Sequence, residues 1–447
     1  MSDSLSQLGD LLKAAISVGA DAADAVYVEG EAISHTQRLG NLEMIERSEG
    51  QDLGLRVFVG RRQASVSAQK VDFRDFGALA SRAVAMARAV PEDLYCGIAD
   101  PDQIAMTPPV FEMADETEPP EKLLIERARA AEDAARTVKG VTNSEGAEAS
   151  WSRTAVTLAT TNGFEGKYWR TAHSVSVSVV AGSGADMQTD YDHHTTVFSD
   201  DLMDPAEIGQ SAGERAVARL GARSIKTIKA PVVFSKRVAG SLLGHLLNAI
   251  NGSSIARGTS FLKDALEKPV MASDLNVTDD PHKPRGLRSK PFDGEGVPTA
   301  RRKLIDNGVL TTWLLDLRSA RQLGLTPTGH ASRGTSGPPF PSAANVFLEP
   351  GSVSRNALIG GIKEGLYVTE IIGMGVNGVT GDYSRGAGGY WIRNGELAFP
   401  VTELTIAGNL KDMFRTITPA SDLEFRHGVD APTLRVDSMT IAGTQGG

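Results

Sequence analysis

Ser235-Lys236-Arg237-Val238-Ala239-Gly240-Ser241-Leu242-Leu243-Gly244-His245-Leu246-Leu247-Asn248-Ala249-Ile250-Asn251-Gly252 is the stretch on which the reading of this chain turns. Val238, Ala239, Leu242, Leu243, Leu246, Leu247 and Ile250 recur at helical spacing and make one broad apolar stripe. Residues 236–251 therefore read as an amphipathic helix with one buried face. Ser235 stands where a capping residue belongs, and Gly252 where a left-handed terminator belongs. His245 falls at the edge of the stripe and Gly244 on its far side. A boundary histidine reads first as a hydrogen-bonded packing residue. A mid-helix glycine costs about 1 kcal/mol relative to alanine, so it marks close packing or an approaching chain.

On the N-terminal side of this helix, Pro231-Val232-Val233-Phe234 reads as a strand, and residues 222–229 as a boundary where the texture changes. Upstream, residues 5–18 carry Leu8, Leu11, Leu12, Ala15 and Ile16 at helical spacing, with Ser4 to cap the helix and Gly19 to end it. Strand-like runs at 25–28, 42–45, 53–59 and 63–68 suggest an antiparallel meander. Helical patterns follow at 75–89 and 121–135, strands near 155–160 and 171–180, and a helix at 204–220. Val175-Ser176-Val177-Ser178-Val179 alternates as a sheet with one wet face should. Downstream of the motif helix the chain is short strands punctuated by many of the 47 glycines. The fold class is α+β: a mixed α/β N-terminal domain with an antiparallel sheet (1–225), and a mostly-β C-terminal domain holding the helix (226–447).

Bulk properties narrow the function. A net charge of −9 argues against a nucleic-acid binder. The basic cluster Arg285, Arg288, Lys290, Arg301, Arg302 and Lys303 reads as a solvated surface, with a local basic groove as the other reading. Cys96 is the only cysteine, so the chain forms no internal disulfide or thiolate cluster, which suits a reducing compartment. Met1-Ser2-Asp3-Ser4-Leu5 lacks a basic, apolar leader, and no apolar run approaches the ~20 residues of a spanning helix. The expectation is a cytoplasmic protein with no membrane contact.

Gly373-Met374-Gly375-Val376-Asn377-Gly378 matches the dinucleotide fingerprint and follows the strand-like run 366–372. That fingerprint needs a helix to receive the pyrophosphate, and Gly381, Gly386, Gly388 and Gly389 make one costly. A glycine-rich strand and turn fits better. No nucleophile elbow or phosphate-binding loop occurs, and Cys96 has no histidine near it in sequence. Of the eight histidines, no pair has helical ligand spacing. His193 and His194 are adjacent, so in a strand they would face opposite ways and could not share an ion.

From the motif helix to its end the sequence resembles the TldD/PmbA metallopeptidase family. The resemblance is carried by residues 249–262 (Ala-Ile-Asn-Gly-Ser-Ser-Ile-Ala-Arg-Gly-Thr-Ser-Phe-Leu) and Phe292-Asp293-Gly294-Glu295-Gly296-Val297-Pro298. It continues in Thr328-Gly329-His330, Glu349-Pro350-Gly351, residues 373–384 and Asn394-Gly395-Glu396. Upstream, Arg47-Ser48-Glu49-Gly50 before Gly54-Leu55-Arg56-Val57 is the best-matching segment.

In the catalytic members this helix carries His-Glu-x-x-x-His, with a cysteine near the C-terminus as a third zinc ligand. In such a site zinc activates water and glutamate takes the proton. Here those positions are Gly244, His245 and Ala249, and the C-terminal region around His427-Gly428-Val429-Asp430 has no cysteine. This resembles the TldE, or PmbA, type of subunit. The resemblance implies no metal or cofactor in this chain, zinc in a TldD-type catalytic partner forming a heterodimer, and proteolysis of unfolded polypeptides or peptides. The substrate-cleft candidates are Asp382 and Arg385 of the glycine-rich segment, Asp293 and Glu295, and His193 and His194. Two other readings stay open. One is a modulator of a protein such as DNA gyrase without proteolysis. The other is a self-sufficient hydrolase with a centre near Asp192, His193 and His194.

Overall fold

The computed structural model describes residues 4–69 and 76–443. In the first half, alternation along the strands sorts residues to two faces. Along β1 (Ala22–Arg38), Ala23, Ala25 and Tyr27 are buried under helices, while Asp24 and Val26 face the other way. β1 pairs antiparallel with β2 (Asn41–Val59), which pairs with β3 (Arg62–Gln69). With β4 (Val141–Thr160), β5 (Glu165–Ala181) and β6 (Gln188–Thr196) they form one antiparallel sheet in the order β3-β2-β1-β4-β5-β6.

The short runs expected at 42–45 and 53–59 are two ends of the single strand β2. Its middle is polar because residues 41–51 are exposed and pair only with β1, so no core pattern marks them. The hairpin turns at Leu39 and Gly40, both at positive φ (53° and 76°). Runs 155–160 and 171–180 likewise lie within the longer β4 and β5.

Four helices cover one face of the sheet. α1 (Ser4–Ser17) and α2 (Phe76–Ala89) pack Leu8, Leu11, Ala80 and Val84 onto β1–β3. α3 (Glu121–Thr137) and α4 (Pro205–Ala218) pack Leu124, Ala131, Ile208 and Ala212 onto β4 and β5, where Val175, Val177 and Val179 are buried. Residue 75, the expected start of the second helix, lies outside the described residues. Ser4 lies within α1, and its hydroxyl bonds Thr157 Oγ1 (3.1 Å). Gly19, at φ 101°, ends the α1 segment as expected. Asp204 caps α4 by accepting from Ala206 N–H.

The second half is built around β7 (Ile228–Phe234). It lies between the parallel strand Glu364–Ile372 and the antiparallel strand Leu434–Ala442. The sheet continues through Asp382–Arg393 and Glu396–Asn409, and the latter also pairs with Leu434–Ala442, curling the sheet closed. α5 (Lys236–Ala249) follows β7 and drives Leu242, Leu243 and Leu246 into this core. Gly252 does not end α5 in a left-handed conformation. Asn251 instead caps a second short helix, Gly252–Ala256, accepting from Ser253 N–H (3.0 Å). Glycine is required at 252 by the Leu314 carbonyl, 2.6 Å from where a Cβ would sit. After the strand Glu364–Ile372 come turns and another strand, with no helix to receive a pyrophosphate.

Arg285 pairs with Glu112 and Asp201, Arg301 with Asp280 and Lys303 with Asp306, as on a charge-balanced surface, whereas Lys290 and Arg302 of the same cluster are half-buried, Lys290 donating to the Ala331 carbonyl. Among the described residues no helix is long and apolar enough to cross a membrane.

Candidate functional site

Because the apolar stripe of α5 is committed to the core, Gly244 and His245 lie on its outer edge. A Cβ at Gly244 would meet nothing within 4 Å. His245 is half-buried, and its ring meets Tyr383 edge-on, centroids 5.8 Å apart at 77°. Its Nε2 is buried without a hydrogen-bond partner, and so is the Tyr383 hydroxyl. Burial, and then the Arg385 guanidinium, push His245 down to about 4. Burial pushes Tyr383 up to about 12. At neutral pH the pair is therefore uncharged, an imidazole beside an intact phenol. Ala249, one turn on, is buried.

Zinc needs three or four N, O or S donors converging at about 2 Å. The motif positions offer one imidazole, a glycine and an alanine, and among the described residues no three His, Cys, Asp or Glu side chains converge on one point. The residues present do not fit the metal. What this face offers is polar groups for binding and positioning.

The glycine-rich segment borders the same face. Phe261 N–H donates to the Gly378 carbonyl (2.8 Å), and Ser384 N–H to that of Gly375 (2.7 Å). Asp382 is exposed and accepts from Thr380 Oγ1 (2.6 Å) and Asn409 Nδ2 (3.0 Å), bonds that hold its carboxyl below the usual range. Arg385 reaches the Ile372 carbonyl at 3.3 Å. Ile372, Met374 and Val379 stand exposed around them, Met374 almost completely at 92%.

Asp293 and Glu295, grouped with Asp382 and Arg385 in the sequence, lie elsewhere, at the seam between the two halves. Asp293 accepts from the N–H groups of Glu295, Val297 and Ala331. Glu295 accepts from Leu317 N–H (2.8 Å) and pairs with Arg56 of β2 (3.3 Å). Both carboxylates are buried and fully engaged, so they do not line an open cleft.

His193 and His194 sit on β6, in a third place. His193 packs against His427 (5.4 Å), while His194 Nδ1 accepts from Met203 N–H (3.0 Å). Burial lowers both, His194 to about 4. Asp192, which burial acts to raise, is held low by Arg215 at 3.2 Å. That carboxylate is thus engaged, and among the described residues no three His, Cys, Asp or Glu side chains here could hold a metal ion. Cys96 is half-buried, and burial and then Asp93 raise its thiol above the usual range.

Sequence reasoning missed the Tyr383–His245 pair and the Arg56 network. Tyr383 carried no signal of its own. Arg56 did: a charged residue between Leu55 and Val57, in a strand otherwise bound for the core, calls for a buried partner.

Family models described as PmbA/TldA metallopeptidase domain 1, central domain and C-terminal domain match residues 23–87, 114–220 and 227–443. The first two of these segments fold here into one sheet. The chain is similar to the metalloprotease PmbA of Escherichia coli O157:H7, 36% identical over 425 residues, covering 95% of this chain and 92% of that one. It is 32% identical to the PmbA homolog of Haemophilus influenzae, covering 94% and 92%. A Bacteroides thetaiotaomicron crystal structure named for DNA gyrase modulation superposes with a TM-score of 0.91 at 25% identity, covering 99% of this chain and all of that one. TldE from Thermococcus kodakarensis shares the fold, with a TM-score of 0.86 at 19% identity over 98% and 100%.

Proposed function

The chain belongs to the PmbA/TldA metallopeptidase family, and from that premise we propose that it is the TldE/PmbA-type subunit of a cytoplasmic heterodimeric peptidase. Its partner, a TldD-type subunit, carries the zinc, and the pair cleaves unfolded polypeptides and peptides. The carrying observation is α5 itself. It follows β7 as a full helix, while the positions that the family resemblance equates with the zinc ligands and the glutamate hold an open glycine, a neutral histidine packed on Tyr383 and a buried alanine.

Such a subunit contributes by enclosing the partner's site and ordering the peptide, which lowers the entropic cost of reaching the scissile geometry. The exposed Ile372, Met374 and Val379, with Asp382 and Arg385 beside them, form a mixed apolar and polar rim suited to an extended chain or a partner surface. His245 Nε2 and the Tyr383 hydroxyl supply an acceptor and a donor still without partners.

The test is zinc content and unfolded-peptide cleavage, for the chain alone and mixed with a TldD-type subunit from the same source. Metal-free and inactive alone, active when mixed, is the expected result. Stoichiometric zinc with activity in the isolated chain would overturn it. Substituting Asp382 or Arg385 and finding cleavage by the pair unchanged would remove those residues from the cleft. A second reading follows the Bacteroides relative's name: inhibition of DNA gyrase with no cleavage by the pair would favour a protein-binding modulator.

A further inference from the structure

Ser235 follows β7 and occupies the position before α5 with the extended backbone of a capping residue (φ −60°, ψ 154°). It is 5% exposed. Its hydroxyl nevertheless makes no capping bond and has no hydrogen-bond partner of any kind. A buried hydroxyl left unpaired is costly, and native structures seldom leave one without a reason.

Ser235 is among the residues that line a cavity of about 210 Å³, together with Arg219, Arg237, Arg355, Tyr367 and Tyr390. The N–H groups of Lys236 and Arg237, the first two of a 14-residue helix, have no acceptor within that helix. The first turn carries no acid to neutralise the positive end of the helix dipole. One cavity thus joins a helix N-terminus, an unpartnered buried donor and several cationic side chains.

One cationic group of the wall is left for an anion. Asp190, the one carboxylate on the wall, is shared by Arg237 (2.6 Å) and Arg219 (3.4 Å). Behind the wall Glu370 holds Arg219, Asp192 holds Arg215 and Glu424 holds Lys236. Four of the five basic groups on the wall are thus ion-paired, and a further carboxylate, Asp422, acts on Tyr367 from beyond ion-pair range of Arg355. The basic group left without an ion pair is Arg355. It is exposed, contacts Asn356 Oδ1 (3.3 Å) and the Tyr367 hydroxyl, and among the described residues has no carboxylate within ion-pair range. The cavity is smaller than the ~300 Å³ at which pockets for drug-sized ligands begin, which suits a small ion.

We propose that this cavity binds a phosphate group, carried by inorganic phosphate or by a small phosphate monoester. Ser235 Oγ and the first N–H groups of α5 donate to its oxygens, and Arg355 closes over it from the solvent side. The site lies nine residues along α5 from Gly244, roughly 13 Å at 1.5 Å per residue, and is separate from the degenerate ligand positions.

The test is isothermal titration of the full chain at low ionic strength with inorganic phosphate and with glycerol 3-phosphate, with acetate at matched ionic strength as the control. Saturable one-to-one binding of phosphate is expected, and Arg355→Ala should weaken it about tenfold or more, the loss of a charge-assisted hydrogen bond. Ser235→Ala should weaken binding as well, yet leave the melting temperature without phosphate unchanged or higher, because the hydroxyl has no partner to lose. Tighter binding of the ester identifies a monoester as the source, and tighter binding of phosphate identifies the free ion. No saturable binding, an equal response to acetate, or affinity unmoved by both substitutions overturns the proposal. Should Ser235→Ala fail to fold, Arg355→Ala on the exposed rim decides alone.

Discussion

Arg56 of β2 and Glu295 of the 293–296 turn stand 3.3 Å apart with side chains only 4% and 3% exposed, joining the two halves of the chain through a buried ion pair. Arg56 also binds Asp24 (2.5 Å), and Arg333 from the second half reaches the other oxygen of Asp24. Basic and acidic groups thus alternate across the seam as Arg333, Asp24, Arg56 and Glu295. Burial acts to raise Asp24, but Arg333 and Arg56 together hold it below the usual carboxylate range. Removing one member of such a network strands the others without solvent, at a cost of about 3–5 kcal/mol. Arg56→Met is therefore expected to lower the unfolding free energy by that order in urea titrations. A loss below about 1 kcal/mol would mean that water reaches the seam.

Glu295 should also make this seam sensitive to pH. Burial dominates its environment and raises it to about 7, Arg56 opposing and Asp293 adding to the rise. A carboxyl raised in the folded state binds its proton more tightly there than in the unfolded chain. Its contribution is fully present below the unfolded value near 4.5 and is lost as pH rises through about 7. Melting temperatures from pH 4.5 to 8 should fall more steeply for the native chain than for Glu295→Gln. Parallel curves would show that Glu295 stays ionised at neutral pH.

The distribution of apolar residues explains what could be read beforehand. α5, α3 and α4 were legible because each buries one stripe, and Val175, Val177 and Val179 because one face of β5 is wet. The middle of β2 was not, since residues 46–51 project into solvent and no alternation records their pairing with β1. Gly244, His245 and Ala249 were singled out through the family resemblance alone, because spacing by itself marks no site there. Asp293 and Glu295 were misplaced for a different reason. Their short polar turn looks solvated in sequence, and only the tertiary partners Arg56, Leu317 and Ala331 show that it is buried.

Acid should act on the two deeply shifted histidines in the opposite sense to Glu295. His245 and His194 are each lowered to about 4, first by burial and then by Arg385 and Arg426 respectively. An imidazole lowered in the folded state contributes stability above its unfolded value near 6.5, and that stability is lost as pH falls through about 4. Stability should therefore drop between pH 6.5 and 4. His245→Gln and His194→Gln should each flatten that slope. Imidazole resonances followed by NMR provide the direct check, and titration of either histidine near 6.5 would contradict the burial argument.

Two glycines on α5 should respond to the same substitution with opposite signs. At Gly240 an added Cβ would sit 2.6 Å from the Val429 carbonyl, a backbone atom that cannot step aside, so Gly240→Ala should destabilise by about 1–3 kcal/mol. At Gly244 nothing lies within 4 Å of the new methyl, and alanine favours a helix interior over glycine by about 0.8–1 kcal/mol. Gly244→Ala should thus stabilise the isolated chain, an effect read as a higher denaturation midpoint at unchanged m-value. In a peptidase pair the same variant reports on what approaches this face. If Gly244→Ala stabilises the chain yet weakens assembly or cleavage with the TldD-type subunit, the open glycine is where the partner or the peptide comes close to α5. If both are unaffected, the contact lies elsewhere, and the exposed rim of Ile372, Met374 and Val379 becomes the next surface to alter.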